Sequence, residues 1–312
     1  MQFLSIIGVL FLAATASASD GASRGDSGIF GPPYENILRA QEALQVAYPE
    51  LVTLHDYGTS YEGRRLQLLI AMKQKELPFS RTAIVMAGAT HGNEYLHIED
   101  RLPAELLRLA NRESSVSKFL NAGGVLVFVP IVNPDGYERR SRFNARGVDL
   151  NRDWDVPPAG FKGFKERESA ALSGALEQLR LQHGLRYAIT VDYHCCAGAL
   201  LTPWSYTEDD LPEPQLGHHR AIGALAHKDL GVTVGATGQV LGYTPTGTSK
   251  DYYFASYGAL AFTYEGRFKT EESQMPGHLR WWEAMLDYSR ENLFSETIQT
   301  AMSSLHGFNV DL

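Results

Sequence analysis

Short apolar runs bounded by turn residues alternate along this chain with longer stretches whose apolar residues recur every three or four positions. After "GPPYEN", the stretch "ILRAQEALQVAYP" has the helical period. "LVTLHDYG" and "RRLQLLIAMK" read as two strands joined by the turn "TSYEG". "RTAIVMAGA" and "GGVLVFVPIVNPDG" read as buried strands running into turns. "EYLHIEDRLPAELLRLA" reads as a helix kinked or broken at Pro103. Further helices are expected over residues 166–181, over "PQLGHHRAIGALAHKDLG", and from Pro276 to about Phe294. Between them lie the strands "YAITVDYH", ending on His194, and "GALAFTYEG", carrying Glu265 near its end. This alternation predicts one α/β domain over residues 33–297. Its expected form is a doubly wound, mixed but mostly parallel sheet with helices on both faces.

The two ends of the chain read differently. "MQFLSIIGVLFLAATASASD" carries no charge before Asp20, and its apolar run from Phe3 to Ala14 precedes Ala16-Ser17-Ala18. That is a small-x-small cleavage pattern, so residues 1–18 are expected to be an export signal. An uncleaved membrane anchor is the rival, but the run is short for a span. The n-region lacks Lys or Arg, which departs from the usual pattern. Secretion, or export to a periplasm, would follow. Residues 19–32 read as a flexible lead-in and 298–312 as a C-terminal tail.

Composition changes the picture little. At 312 residues, with 44% hydrophobic and 21% charged, the chain is ordinary globular material. A net charge of −8 without any basic run argues against a nucleic-acid partner. No later segment is long and apolar enough to span a bilayer, and a monomer is expected. Cys195 and Cys196 are the only cysteines and are adjacent, so no disulfide framework is available.

Candidate chemistry begins at "GATHGNEYLHIE", which offers His91 and Glu94 three residues apart. About one His-x-x-acid pair is expected by chance in a chain of this composition, so the pair alone says little. His194, at a distant strand end, could complete a set of three. Catalytic zinc commonly takes three protein ligands and keeps a fourth position for water.

Downstream, "NPDGYERRSRFNARGVDLNRDW" resembles the segment that binds the substrate carboxylate in zinc carboxypeptidases of the pancreatic carboxypeptidase A type. The resemblance continues in order through "SYEGR", "HGNE", "NPDG", "GVDLNR", "DYH", "TPWSY", "GYTPTGTSKDYYF" and "FTYEGR", over roughly residues 33–295. It implies one zinc ion per chain, held by His91, Glu94 and His194. It implies that Asp149 orients the first histidine. Asn151 and Arg152 would grip the C-terminal carboxylate of a peptide, with Tyr243 closing over it. Glu265 would be the catalytic base. Arg142 is chosen as the oxyanion arginine, with Arg139, Arg140 and Arg146 close by.

The likeness also frames departures. The family-like segment starts too early for a long activation domain, so no inhibitory prodomain is expected. Cys195-Cys196 replaces other residues, at a peptide bond that is cis in relatives. Two buried thiols are expected there, with a strained vicinal disulfide as the alternative. The position that sets side-chain preference in the family falls on Lys250. An ammonium in that pocket predicts a preference for C-terminal Glu or Asp; pairing of Lys250 with Asp251, or snorkelling to solvent, is the alternative. Two rival functions stay open. One is a murein-peptide peptidase cutting next to diaminopimelate, because "NARGVDLNR" is close to the short loop of such enzymes. The other is a non-catalytic zinc- or peptide-binding module.

Overall fold

The middle strands are buried at nearly every position because helices cover both of their faces. A computed structural model describes residues 30–73, 80–267 and 271–294. The expected export signal, most of the lead-in, and the tail 298–312 lie outside the described residues.

The chain enters through α1 (Tyr34–Ala47) and a hairpin of β1 (Val52–Thr59) and β2 (Arg65–Met72). β3 (Arg81–Gly88) leads by a loop to α2 (Arg101–Ala110) and α3 (Ser115–Asn121), then β4 (Val125–Val129) and the short α4 (Pro134–Arg139). A long loop reaches α5 (Arg167–His183), β5 (Leu185–Cys195), β6 (Ala199–Thr202) and α6 (Gln215–Leu230). β7 (Thr233–Ala236), α7 (Thr237–Leu241), α8 (Ser249–Tyr257), β8 (Leu260–Gly266) and α9 (Met275–Asn292) complete the order.

The strands form one sheet in the order β1-β2-β4-β3-β5-β8-β6-β7. β4, β3, β5 and β8 run parallel to one another through its centre, while β2 and β6 join antiparallel on either side. Period-two alternation then assigns the two cores. Leu69, Ala71, Ile84, Met86, Ile189, Val191 and Phe262 point into a layer with α2, α3, α6 and α9, where Trp281 and Trp282 are fully buried. Leu68, Ile70, Val85, Val127, Tyr187 and Ala261 point the other way, onto Leu172 and Leu176 of α5 and Tyr253 of α8. Among the described residues no helix is long and apolar enough to cross a membrane.

Two expectations need correction. The helix expected from Glu94 begins only at Arg101; residues 91–100 are turns and irregular chain. Pro103 neither kinks nor breaks it, because it lies in the first turn, where an N–H has no helical acceptor to lose. The four-residue strands "ALLT" and "TVGA" and helices α3, α7 and α8 were not anticipated. They are too short, or too weakly periodic, to stand out from loop.

Candidate active site

Parallel strands deliver their C-terminal ends to one edge of the sheet, and there β3, β5 and β8 bring the candidate residues together. Past β3 the backbone is held by Val132 N–H on Gly88 O (2.9 Å) and Asn133 N–H on Ala89 O (3.2 Å). Ala89 takes a left-handed φ of 47°, which turns the chain sharply ahead of His91. Gly92 follows because the backbone of Gly136 in α4 lies where a Cβ would stand. A turn closed by Glu94 N–H on His91 O (3.0 Å) then folds Glu94 back over His91. The pair is thus made by a turn and not by helical spacing.

β5 places His194 against this turn. His91 Nδ1 lies 2.9 Å from Glu94 Oε2, and His194 Nδ1 lies 3.0 Å from both His91 Nδ1 and Glu94 Oε2. All three side chains are buried. The far nitrogens are engaged too: His91 Nε2 donates to Asp149 Oδ1 (2.9 Å), and His194 Nε2 to Asp192 Oδ2 (3.0 Å). With Nε2 carrying the proton on each ring, both Nδ1 atoms are bare acceptors aimed at each other and at a carboxylate. Three converging acceptors in a buried site are satisfied by a cation. Two imidazoles and one carboxylate are a donor set that suits zinc. Burial opposes a charge on His194, but Asp192 and Glu94 outweigh it and hold its affinity for a proton well above the ordinary value. The site therefore favours positive charge.

Arg142 sits where the sequence places it. Its Nη1 donates to Glu94 Oε1 (3.0 Å), and its Nε to Asp149 Oδ2 (3.0 Å). One guanidinium thereby steadies a ligand and the carboxylate that orients another. Asp149 also accepts from Asn151 N–H (2.9 Å), which positions Asn151 and Arg152 beside it. Glu265 pairs in register with His194 across β5 and β8. Burial pushes its carboxyl up to about 7, with His194 pulling the other way and nearby Glu94 adding to the rise.

His91, Glu94, Arg142, Asn151, Arg152, Tyr243, Lys250 and Glu265 line a single pocket of about 260 Å³. Tyr243 is 51% exposed at its mouth, in the loop after α7. Lys250 is only 1% exposed, and its ammonium is engaged. Nζ donates to Thr202 O (2.7 Å), Ser205 Oγ (2.9 Å) and Thr237 Oγ1 (3.1 Å), and pairs with Asp251 Oδ1 at 3.4 Å. The structure thus gives Lys250 the Asp251 partner weighed as the alternative, while keeping it on the pocket wall. Cys195 and Cys196 also line the pocket and are joined by a disulfide, not present as two thiols.

Asp192 was missed. A period-two signal was there to find it: in "VDYH", positions 192 and 194 on a strand share a face, so a carboxylate two residues before a ligating histidine can hold it. Ser205 and Thr237 carried no such signal, since their approach to Lys250 is a product of the fold.

The chain spans 34% of the length of an inactive metallocarboxypeptidase ECM14 from Ajellomyces dermatitidis, 26% identical over 202 residues that are 55% of this chain. It is 25% identical to carboxypeptidase B of Helicoverpa zea over 280 residues, covering 75% of this chain and 63% of that one. In fold it is similar to thrombin activatable fibrinolysis inhibitor, with a TM-score of 0.69 at 19% identity over 83% of this chain and 74% of that one. The sequence profile described as zinc carboxypeptidase matches residues 37–279, which take in every residue of the pocket, and the chain belongs to that family.

Proposed function

We propose that this chain is a zinc metallocarboxypeptidase that releases the last residue of a peptide and favours a C-terminal Glu or Asp. The observation that carries the peptidase reading is Glu265, half-buried beside the three acceptors and in one pocket with Asn151, Arg152 and Tyr243. A carboxypeptidase must hold a free C-terminus, and the planar fork of Arg152 with the Asn151 amide suits a carboxylate. Zinc, when bound, lowers the pKa of a water and polarises the scissile carbonyl. Glu265 accepts the proton of the attacking water and returns it to the departing amine. Arg142 offers its guanidinium to the negative charge that develops on the carbonyl oxygen. Four relatives carry names that call them inactive; in this chain Glu265 stands in the pocket beside the metal-ligand candidates, which supports an active enzyme over a binding module. Residues 1–18 support secretion or export to a periplasm.

Lys250 supports the acidic preference. Its Nζ spends its protons on Thr202, Ser205 and Thr237, so recognition of a substrate carboxylate would be shared. The Ser205 and Thr237 hydroxyls both accept from the ammonium; Ser205 gives its own proton to Asp251 Oδ1 (3.2 Å), which leaves the Thr237 hydroxyl as the one to donate to a substrate carboxylate. Asp251 offsets part of the positive charge, so the preference is weaker than a lone ammonium would give.

The test is a panel of N-blocked dipeptides ending in Glu, Phe, Leu, Lys and Arg, compared by kcat/KM at fixed ionic strength, with a γ-D-glutamyl-diaminopimelate peptide alongside. The Glu substrate should lead. Lys250→Asp should move preference towards Lys and Arg, because attraction and repulsion both reverse sign. A wild type that cleaves Phe or Arg better than Glu defeats the acidic preference and leaves the peptidase assignment intact. A lead for the diaminopimelate peptide would favour the murein reading.

A further inference from the structure

β5 presents Asp192 and His194 on one face, and Asp192 does more than hold that histidine. Its carboxylate is 1% exposed and accepts from Ser249 Oγ (2.6 Å) and Thr90 Oγ1 (3.1 Å). Thr90 precedes the ligand His91 in the chain. Ser249, fully buried, is the first residue of α8 and precedes Lys250. The N–H of a first helical residue has no partner within its helix. Ser249 gives it to Asn151 Oδ1 at 3.0 Å. One serine therefore touches the metal side through its hydroxyl and the carboxylate clamp through its backbone.

We propose that Ser249 is a positioning residue that braces His194, through Asp192, against the clamp residue Asn151. The proposal rests on the zinc carboxypeptidase reading of the site. The physical case has two parts. A ligating imidazole is only as well oriented as the group on its other nitrogen. A fully buried carboxylate must have its lone pairs met by donors, and of its two hydroxyl partners Ser249 makes the shorter contact. Without that hydroxyl, Asp192 keeps only the longer Thr90 contacts and His194 itself as side-chain partners, so it is less firmly fixed and His194 loses part of its orientation.

The test titrates Zn2+ into the metal-stripped full chain in competition with a chromophoric chelator, for the unchanged chain, Ser249→Ala and Asp192→Asn. Asp192→Asn should weaken zinc by ~10–100-fold, and Ser249→Ala by about tenfold. Circular dichroism checks folding; if Asp192→Asn does not fold, Ser249→Ala decides alone, since it removes one oxygen. Ser249→Ala keeps its N–H on Asn151, so at saturating zinc its kcat should return and its KM for the N-blocked Glu dipeptide should match the unchanged chain. A merely structural defect would not be repaired by zinc. Zinc affinity in Ser249→Ala equal to that of the unchanged chain overturns the proposal, as does lost turnover that saturating zinc does not restore. The titration needs no substrate, so weakened zinc binding in a chain without peptidase activity would sink the carboxypeptidase reading and leave the brace standing.

Discussion

At the scale of single residues, the site is a set of charges whose environments push them apart. Glu94 and Asp149 are held well below the ordinary carboxylate range: burial would raise them, but the imidazoles outweigh it, joined at Asp149 by Arg142. Glu265, paired with His194 across β5 and β8, is raised to about 7 by burial. Acceptors that stay ionised and a carboxylate that exchanges its proton near neutrality are what ligands and a base respectively require. Glu265→Gln should keep zinc and substrate binding while turnover falls by ~10²–10⁴-fold, the usual contribution of a general base. A well-folded variant with near-normal kcat would refute the role. The sign of the pH dependence follows: the base works ionised, so kcat/KM should fall as pH drops through its pKa. Bound zinc favours the ionised form, which places that acid limb at or below about 7. His194→Ala should lose metal and activity together, and metal analysis that finds stoichiometric zinc in it would remove His194 from the ligand set.

Elements position these residues, and here legibility in the sequence was uneven. The runs "AIVMAG" and "VLVFV" announced β3 and β4 as continuous apolar stretches, which strands covered on both faces require, and "YAITVDYH" announced β5 through β-branched and aromatic residues that alternate with Thr190, Asp192 and His194. The ligands at their ends were legible for the same reason. The segment after β3 was not: residues 91–100 carry helix-like spacing, yet Glu94 is needed in a turn over His91 and Glu99 is drawn inward. Glu99 is fully buried, accepts from Leu96 N–H and Ile98 N–H (3.1 Å each), and is pushed up to about 8 by that burial. No local pattern foretells a buried acid that tertiary packing makes. It has a measurable consequence. Below the unfolded value of about 4.5 the carboxyl is neutral in both states. Between there and about 8 the unfolded chain releases the proton and the native state keeps it, so stability declines as pH rises, then levels off. Glu99→Gln should remove that slope and, at pH above 8, be the more stable chain by a margin on the order of a few kcal/mol. Urea midpoints at acid and alkaline pH measure it; a wild-type slope retained in Glu99→Gln would show that Glu99 is not the titrating group.

At the scale of the whole molecule, the question is whether the metal holds the fold or only the site. The two cores lie on opposite faces of the sheet and are built from aliphatic and aromatic side chains, with the candidate ligands gathered at one edge. Trp281, Trp282, Phe119 and Phe128 are each fully buried without recourse to that edge. Burial of that kind supplies most of the stability of a domain this size, in contrast to small zinc modules that unfold when stripped. Zinc should therefore stabilise by mass action alone, by about 4 kcal/mol at a free concentration a thousand times its dissociation constant. At roughly 2–4 °C per kcal/mol that is a rise in Tm on the order of ten degrees. The chelated protein should keep its far-ultraviolet circular dichroism at assay temperature, unfold cooperatively at a lower Tm, and recover both Tm and turnover when Zn2+ is returned. Loss of secondary structure on chelation would mean that the turn at His91–Glu94 and the end of β5 hold the sheet together, and that the ligand edge belongs to the core.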